Sequence, residues 1–490
     1  MTFQVSLVDF ITVLPETIVF GMGLVIVLFE LFGTGRNTRN LAYLALLTLA
    51  VTAMAEVRLF GQGLVGFGGT IGADDFSTAL ELIFLIVTTL VVLLSIRYLE
   101  DRRLARFGEY YALLLFAVGG AMFMVSALDL LNIFIGLEIL SISSYILCGL
   151  IQADQRSNEA ALKYFLLGAF ATGFLLYGMV LLYGATGSIK LSGISAALAR
   201  PEVFANPMVV FGLGLMLVGF GFKVAIVPFH MWTPDVYEGA PTTITAFLST
   251  APKAAGFGAL VRILTEGLGA VSVQWTPVLW VAAALTMTVG NVLAMQQDNI
   301  KRMLAYSSIA HAGYILVAVV AGGREGLAGV LFYLLAYAFM NTGAFAVLIL
   351  ASTKEKERVT FADFQGWGYV EPVLAIAMFV FMLSLAGIPL TAGFAGKFQI
   401  FKTAVDKGLV WLAVIGLLNS VVSIYYYLRI VVAMYMQPAG PASLQERALP
   451  SVPVYLAIAA SVAAVLYLGV FPATWIEASI NSAAVLVAGP

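Results

Sequence analysis

Apolar residues gather in runs of about twenty, with polar positions clustered at the run ends, which is the pattern of helices that cross a bilayer. Fourteen such helices are predicted, near 10–32, 40–59, 76–97, 109–127, 129–151, 159–184, 207–229, 240–264, 274–296, 303–322, 326–351, 371–401, 408–433 and 452–472. The runs are continuous and of helical length, which favours an all-α polytopic membrane bundle over a β-barrel of short alternating strands. Only the connections at 187–206 and 437–451 are long, the first with a short amphipathic helix expected in IKLSGISAALA. No soluble domain fits between the spans.

The pattern is interrupted twice. In GFGFKVAIVPFHMWTPDVYEGAPTTITAFLSTAPKAAG, Gly219 to Gly256, the prolines 228, 234, 241 and 252 punctuate the stretch, so the seventh span is expected to be cut short or broken. In LAGIPLTAGFAGKFQIF, Gly387, Pro389, Gly393 and Gly396 interrupt the twelfth span just before Lys397. Irregular backbone at membrane depth is tolerated only where it is buried in protein or lines a water-filled cavity. The breaks lie five spans apart. Five is odd, so a repeat of helices 4–8 in helices 9–13 is inserted upside down, an arrangement in which paired discontinuous helices mark a transport site. The expected organisation is N-terminal helices 1–3 over 1–108, a first five-helix repeat over 109–264, an inverted second repeat over 265–435, and the last helix with its tail over 436–490.

Charge gives the orientation. Loops and helix ends after odd-numbered spans hold Arg36, Arg39, Arg97, Arg102, Arg103, Arg106, Arg156, Lys163, Lys301, Arg302, Lys354, Lys356, Arg358, Arg429 and Arg447. The opposite side holds Arg58, Lys190, Arg200, Arg262, Arg324, Lys402 and Lys407. The positive-inside rule then places both termini outside the cytoplasm. The first run follows Asp9 and Glu16 without a basic segment or a convincing cleavage site, so the first helix is expected to stay attached.

With 61% hydrophobic and 11% charged residues and a mean hydropathy of +0.99, a soluble globular chain is excluded. The net charge of −2 offers no basic face for nucleic acid, which is not an expected partner. One cysteine, Cys148, excludes an internal disulfide, a Cys-ligated iron–sulfur cluster and a thiolate zinc site, and two histidines argue against bis-histidine haem. Trp232, Trp367 and Trp411 at helix ends read as interfacial anchors. GFAGKF resembles a phosphate loop only superficially, because Phe398 stands where Ser or Thr is needed and no strand precedes it.

Three lysines remain, Lys223, Lys253 and Lys397, all inside spans. A cation at the bilayer centre costs about 2.5 to 3.5 kcal/mol on translocon scales, so such residues mark ion pathways unless they snorkel. Snorkelling is the competing reading for Lys223 and Lys397. For Lys253 the competing reading is a counter-ion to an unseen carboxylate. Glu138 sits about nine residues into the fifth span, roughly 13 Å deep, and Lys223 is its natural partner, either in an ion path or in a purely structural pair. His311, with an ordinary imidazole pKa near 6.5, is a further candidate relay, or else a histidine hydrogen-bonded between helices. His230, Asp235 and Glu238 are expected to be solvated loop residues, with a cytoplasmic mouth as the competing reading.

The segments KVAIVPFHMWTPDVYEGAPTTITAFLSTAPKAAGF, NIKRMLAYSSIAHAGY and LAGIPLTAGFAGKF together resemble the antiporter-like membrane subunits of proton-pumping NADH:quinone oxidoreductase, respiratory complex I. The wording TPDVYEGAPTTITAFLSTAPK is similar to subunit N, the counterpart of mitochondrial subunit 2, rather than to L or M. Subunit M has a glutamate where this chain has Lys397, and the lateral helix of subunit L has no counterpart in the few residues after the fourteenth span. The resemblance implies a proton relay of Glu138, Lys223, Lys253 and Lys397. It also implies a bacterial cell inner membrane, with both termini periplasmic. Partners would be membrane lipids and other complex I membrane subunits, especially M, the small subunit K and the lateral helix of L. No cofactor is expected in this chain, because NADH, FMN, iron–sulfur clusters and quinone would belong to other subunits. A multisubunit sodium/proton antiporter or membrane-bound hydrogenase is the alternative setting.

Overall fold

The computed structural model describes residues 6–32, 38–101, 107–353, 357–439 and 451–487. Arg36, Arg102, Arg103, Arg106, Lys354, Lys356 and Arg447 lie outside the described residues.

Ser6 opens α1 (Leu7–Thr12) by accepting from the Asp9 amide while the Asp9 carboxylate accepts from Ser6, a reciprocal cap that satisfies two orphan donors. Two apolar helices follow, α2 (Leu14–Phe32) and α3 (Thr38–Leu59). The glycine-rich connection after them folds into a hairpin that hydropathy alone had hidden, β1 (Leu64–Gly66) antiparallel to β2 (Ile71–Ala73), with Leu64 paired to Ala73. It is anchored to the bundle by Ile71 pairing with Ala127 and by the Leu128 amide donating to Thr70.

The chain continues through α4 (Asp75–Asp101), α5 (Phe107–Ser126), α6 (Leu130–Cys148) and α7 (Gln155–Thr186). The amphipathic segment is α8 (Leu191–Leu198), as its pattern predicts, followed by α9 (Pro201–Phe204). Next come α10 (Pro207–Val224), α11 (Trp232–Gly239), α12 (Thr242–Leu248) and α13 (Ala251–Arg262). The second half holds α14 (Ser272–Met295), α15 (Ile300–Ala321), α16 (Gly323–Ala351), α17 (Trp367–Val370), α18 (Pro372–Ala386), α19 (Ala392–Asp406), α20 (Val410–Met436), α21 (Val452–Val470) and α22 (Pro472–Val487).

Among the described residues thirteen helical segments are long and apolar enough to cross a membrane, with Thr242–Gly267 counted as one. The pair α18 and α19 makes the fourteenth, so the chain is a multi-pass α-helical membrane protein. Burial locates its centre. The span Thr242–Gly267 is wholly buried, and α15 and α16 are 94% and 89% buried, whereas α2, α3, α7 and α21 are at most a third buried and face outward.

Several expectations need correction. The seventh span ends at Val224, not 229, because Ala225 adopts the left-handed region (φ 60°) and closes α10. Residues read as a solvated loop instead form α11, which carries Asp235 and Glu238. The eighth span is also broken, between Leu248 and Ala251, because Pro252 has no amide to continue the ladder; the Thr250 hydroxyl takes the carbonyl of Ala246. The last span, α21, ends at Val470, close to the predicted 472, and the further helix α22 follows it from Pro472. Near the end of α21 Gly469 abuts Thr391, where a Cβ would lie 2.4 Å from backbone, so only glycine fits.

The tryptophan reading is corrected as well. Trp367 is wholly buried, and Trp232 stacks on Tyr164 at 4.4 Å and donates to the Phe222 carbonyl. Only Trp411 is exposed as an interfacial residue would be.

Candidate functional site

All three intramembrane lysines point inward. Lys223 is 5% exposed, Lys253 2% and Lys397 4%, which removes snorkelling for each. Each ammonium meets neutral oxygen atoms rather than a carboxylate, and each sits beside a helix break.

Lys397 lies on α19 and reaches back to the end of α18. Its Nζ donates to the carbonyls of Leu385 (2.9 Å) and Ala386 (3.0 Å) and to Ser420 Oγ on α20 (2.9 Å). The carbonyls at a helix C-terminus lack intrahelical partners and carry the negative end of the macrodipole, so the break is what gives the ammonium a seat. Glycines make the break. Gly387 takes φ 84°, and a Cβ on Gly393 would lie 1.8 Å from the Ser384 carbonyl oxygen. Lys397 also stands 4.8 Å over the Tyr314 ring.

Lys223 occupies the last turn of α10, again at a helix C-terminus. Its Nζ donates to Ser141 Oγ at 2.9 Å, and that hydroxyl donates onward to the Leu137 carbonyl at 2.6 Å. Among the described residues no ion pair within 4.0 Å joins Lys223 to Glu138, so any interaction between the two acts without contact. Glu138 precedes Ser141 by three residues on the same face of α6, and its Oε1 is buried without a hydrogen-bond partner. The ammonium is therefore held by a hydroxyl on the face of α6 that also carries Glu138.

Lys253 is the exception in its electrostatics. It lies in the first turn of α13, where the positive end of the helix opposes an ammonium. Its compensation comes from another helix: Nζ donates to the Ser308 carbonyl (2.7 Å) and Oγ (2.5 Å) on α15. Lys223 and Lys253 share a wall, since a Cβ on Gly256, one turn beyond Lys253, would meet Lys223 Cγ at 3.1 Å.

One turn after Ser308, His311 is held on both sides. Nδ1 bonds the Tyr333 hydroxyl of α16 (2.7 Å) and Nε2 the Tyr427 hydroxyl of α20 (3.0 Å). A neutral imidazole donates from one nitrogen and accepts at the other, so a change of tautomer reverses both bonds. Tyr427 also shares a hydrogen bond with Ser307. The adjacent Tyr426 donates to Asn291 Oδ1 (2.8 Å), and Asn291 Nδ2 donates to the Tyr314 hydroxyl (3.2 Å), whose ring lies under Lys397. Polar side chains therefore run from Lys253 to Lys397 through the centre of the bundle.

Sequence reasoning missed Ser141, Ser308, Tyr333, Tyr427, Asn291 and Tyr314. The signal was present in part: Ser141 is one turn from Glu138, and Ser308 one turn from His311, in otherwise apolar spans.

At the basic end of the bundle, Asp235 accepts from Lys163 (2.7 Å) and Arg302 (2.7 Å), and Glu238 accepts from Arg302 (3.0 Å). Burial alone would push the Asp235 carboxyl up, but the bonds from Lys163 and Arg302 outweigh it and hold the group below its usual range. Lys301, counted with the loops, is 1% exposed and donates to the Ala240 carbonyl and to Glu357. Arg262, also counted with the loops, is fully buried and paired with Asp74 and Glu266.

Residues 127–423 match the family described as NADH:quinone oxidoreductase/Mrp antiporter, transmembrane. The NADH-quinone oxidoreductase subunit N of Trichlorobacter lovleyi is 48% identical over 460 residues, 94% of each chain. Subunit N 2 of Koribacter versatilis is 43% identical over 495 residues, covering 99% of each chain. A chain of respiratory complex I from Thermus thermophilus with bound aureothin superposes with a TM-score of 0.80 at 35% identity, over 94% of this chain and 98% of that one. A chain of the Mrp complex from Dietzia reaches a TM-score of 0.85 at 22% identity, over 97% of this chain and 98% of that one, a likeness of fold alone. Whole-length identity to several subunits N, and not only a shared bundle, establishes that the chain belongs to the NADH-quinone oxidoreductase subunit N family.

Proposed function

We propose that this chain moves protons across the bacterial inner membrane as a membrane-arm subunit of NADH:quinone oxidoreductase. Glu138, Lys223, Lys253 and Lys397 form its relay, and His311 lies between the last two. The observation that carries the reading is that three buried ammonium groups, each beside a helix break, are bonded to neutral oxygens, and that polar side chains join the last two of them. Neutral partners leave a lysine free to lose its proton without stranding a buried counter-charge, which would be strongly destabilising.

In this reading Glu138 holds charge on Lys223 without contact, and weakening that interaction lets Lys223 release its proton toward Lys253. Neighbouring buried groups titrate as a coupled set, so small movements at the breaks redistribute protons. Lys253, opposed by its own helix end, is the site where charge is least favoured by the backbone, and Lys397, seated on the α18 carbonyls, is where it is most favoured. From Lys253 the proton passes through Ser308, His311 and the tyrosines to Lys397.

Residues 109–264 and 265–435 are read as two oppositely inserted units, with their breaks at α10 and at α18–α19. The end bearing Lys163, Arg302 and Arg358 is assigned to the cytoplasm and both termini to the periplasm. Against about 150 mV one proton costs about 3.5 kcal/mol, at roughly 2.3 kcal/mol per 100 mV. That energy comes from quinone reduction in other subunits, which also hold NADH, FMN, iron–sulfur clusters and quinone. Subunits M and K and the lateral helix of L are the assigned neighbours.

Replacing Glu138 or Lys223 by alanine in the assembled complex tests this. Proton pumping, and the quinone reduction coupled to it, is expected to fall while assembly survives; unchanged pumping counts against the relay. The second setting, a sodium/proton antiporter subunit, is favoured by sodium-dependent proton flux without NADH.

A further inference from the structure

Three glutamates meet at the hairpin end of the first spans, ahead of the family-matched residues 127–423: Glu16 on α2, Glu56 on α3 and Glu81 on α4. They are 3%, 1% and 4% exposed. Glu56 and Glu81 hydrogen-bond each other, and Glu16 stands close enough to both for its charge to act on them. Ser126, at the end of α5, donates to Glu16 Oε1 at 3.0 Å. Asp74 also faces Glu81, and Arg262, whose charge reaches Glu81, is committed to Asp74 and Glu266. Among the described residues no ion pair joins any of the three glutamates.

Glu16 Oε2 and Glu56 Oε1 are buried without a hydrogen-bond partner. Three carboxylates so enclosed and without a cation would be costly, so the trio does not carry three charges. A bond between two carboxyl groups needs a proton, because ionised carboxylates only accept. Helix ends favour one place for it. Glu16 lies in the first turn of α2, where the positive end of the helix favours negative charge, and Glu56 lies in the last turn of α3, where the negative end opposes it. Among the described residues no three such groups converge closely enough to hold a metal ion, which leaves the proton as the ligand.

We infer that Glu56 and Glu81 form a proton-binding site, with Glu56 as donor and Glu16 as its charged neighbour, and that the bound proton clasps α3 to α4. Release of that proton to water leaves two carboxylates face to face, which repel. Release is therefore tied to movement of α3 away from α4, and α3, only 33% buried, lies at the outside of the bundle. The clasp is closed when the site is protonated and loosens as pH rises. It uses none of Lys223, Lys253 and Lys397, so it stands or falls separately from the relay.

Two measurements on the assembled complex in membranes test it. A carbodiimide, which reacts with protonated carboxyls in apolar surroundings, is expected to modify Glu56 or Glu81, read by mass spectrometry, with labelling falling as pH is raised from about 6 to about 9. In Glu56→Gln the amide donates to Glu81 without a titratable proton, so labelling of Glu81 is expected to vanish as well. Over the same range amide hydrogen exchange in the last turns of α3, corrected for its intrinsic pH dependence, is expected to accelerate roughly tenfold in wild type, about one lost hydrogen bond, and to stay level in Glu56→Gln. Exchange in wild-type α3 that does not change with pH overturns the proposal. So does Glu81 labelling that persists in Glu56→Gln, or labelling suppressed by sodium chloride but not by choline chloride, which would make the trio a sodium site. Where the reagent does not reach the carboxyls, or Glu56→Gln does not assemble, the wild-type exchange profile decides.

Discussion

Lys223 reaches toward Glu138 but bonds Ser141 instead, 2.9 Å from ammonium to hydroxyl, with the carboxylate one helical turn further along α6. The carboxylate can thus steady the ammonium without neutralising it by contact. Ser141→Ala removes the acceptor and leaves a buried donor unmet, a cost of about 1–3 kcal/mol. Lowered pumping and a lower melting temperature are expected in Ser141→Ala, both recovered in Ser141→Thr, as read by proton uptake in proteoliposomes and thermal melts.

Gly393 allows α19 to approach the end of α18, where a methyl group would collide with the Ser384 carbonyl at 1.8 Å. Gly393→Ala forces backbone apart and withdraws Lys397 from the carbonyls that seat it. A loss of at least about 1–3 kcal/mol is expected, with less assembled complex on native gels. Wild-type amounts of an active Gly393→Ala complex would show that the seat is dispensable.

The fold was largely legible because hydropathy carries it: fourteen spans, two proline- and glycine-marked breaks and three lysines stand out in an oily sequence. The third break escaped notice because a single Pro252 inside an apolar run is equally consistent with a kinked helix. The partners of the lysines were not legible. Ser141, Ser308 and Asn291 are ordinary polar residues until packing brings other helices against them, and no spacing along one helix tells which neighbour it faces. Likewise Asp235 and Glu238 read as loop until Lys163 and Arg302, distant in sequence, close on them.

Asp235 gives a pH dependence. Its folded-state value lies below the ordinary 3.8, so its contribution to stability is present above that value and is lost as pH falls through the depressed folded value. Asp235→Asn is expected to melt slightly below wild type at pH 7, with the gap closing in acid below about pH 4. A gap that persists unchanged in acid would place the effect in packing rather than in charge.

The His311 clamp predicts a distinction between its two tyrosines and simple bulk. Tyr427→Phe keeps the ring but removes the hydroxyl that bonds both His311 and Ser307. Pumping is expected to fall severalfold with the melting temperature changed by no more than a lost hydrogen bond, about 1 kcal/mol, would cause. Normal pumping in Tyr427→Phe would remove this tyrosine from the path.

The most direct measurement is the number of protons moved per electron by a complex carrying Lys253→Met, reconstituted in proteoliposomes. Lys253 is buried and, among the described residues, bonds only Ser308, so methionine keeps its bulk and removes its proton. A proton carrier at this position means that coupled pumping drops by roughly a hundredfold, the low end for a lost acid–base group, with the complex still assembled. Undiminished pumping, together with equal or greater thermal stability, would mean that the buried lysines only hold helices together.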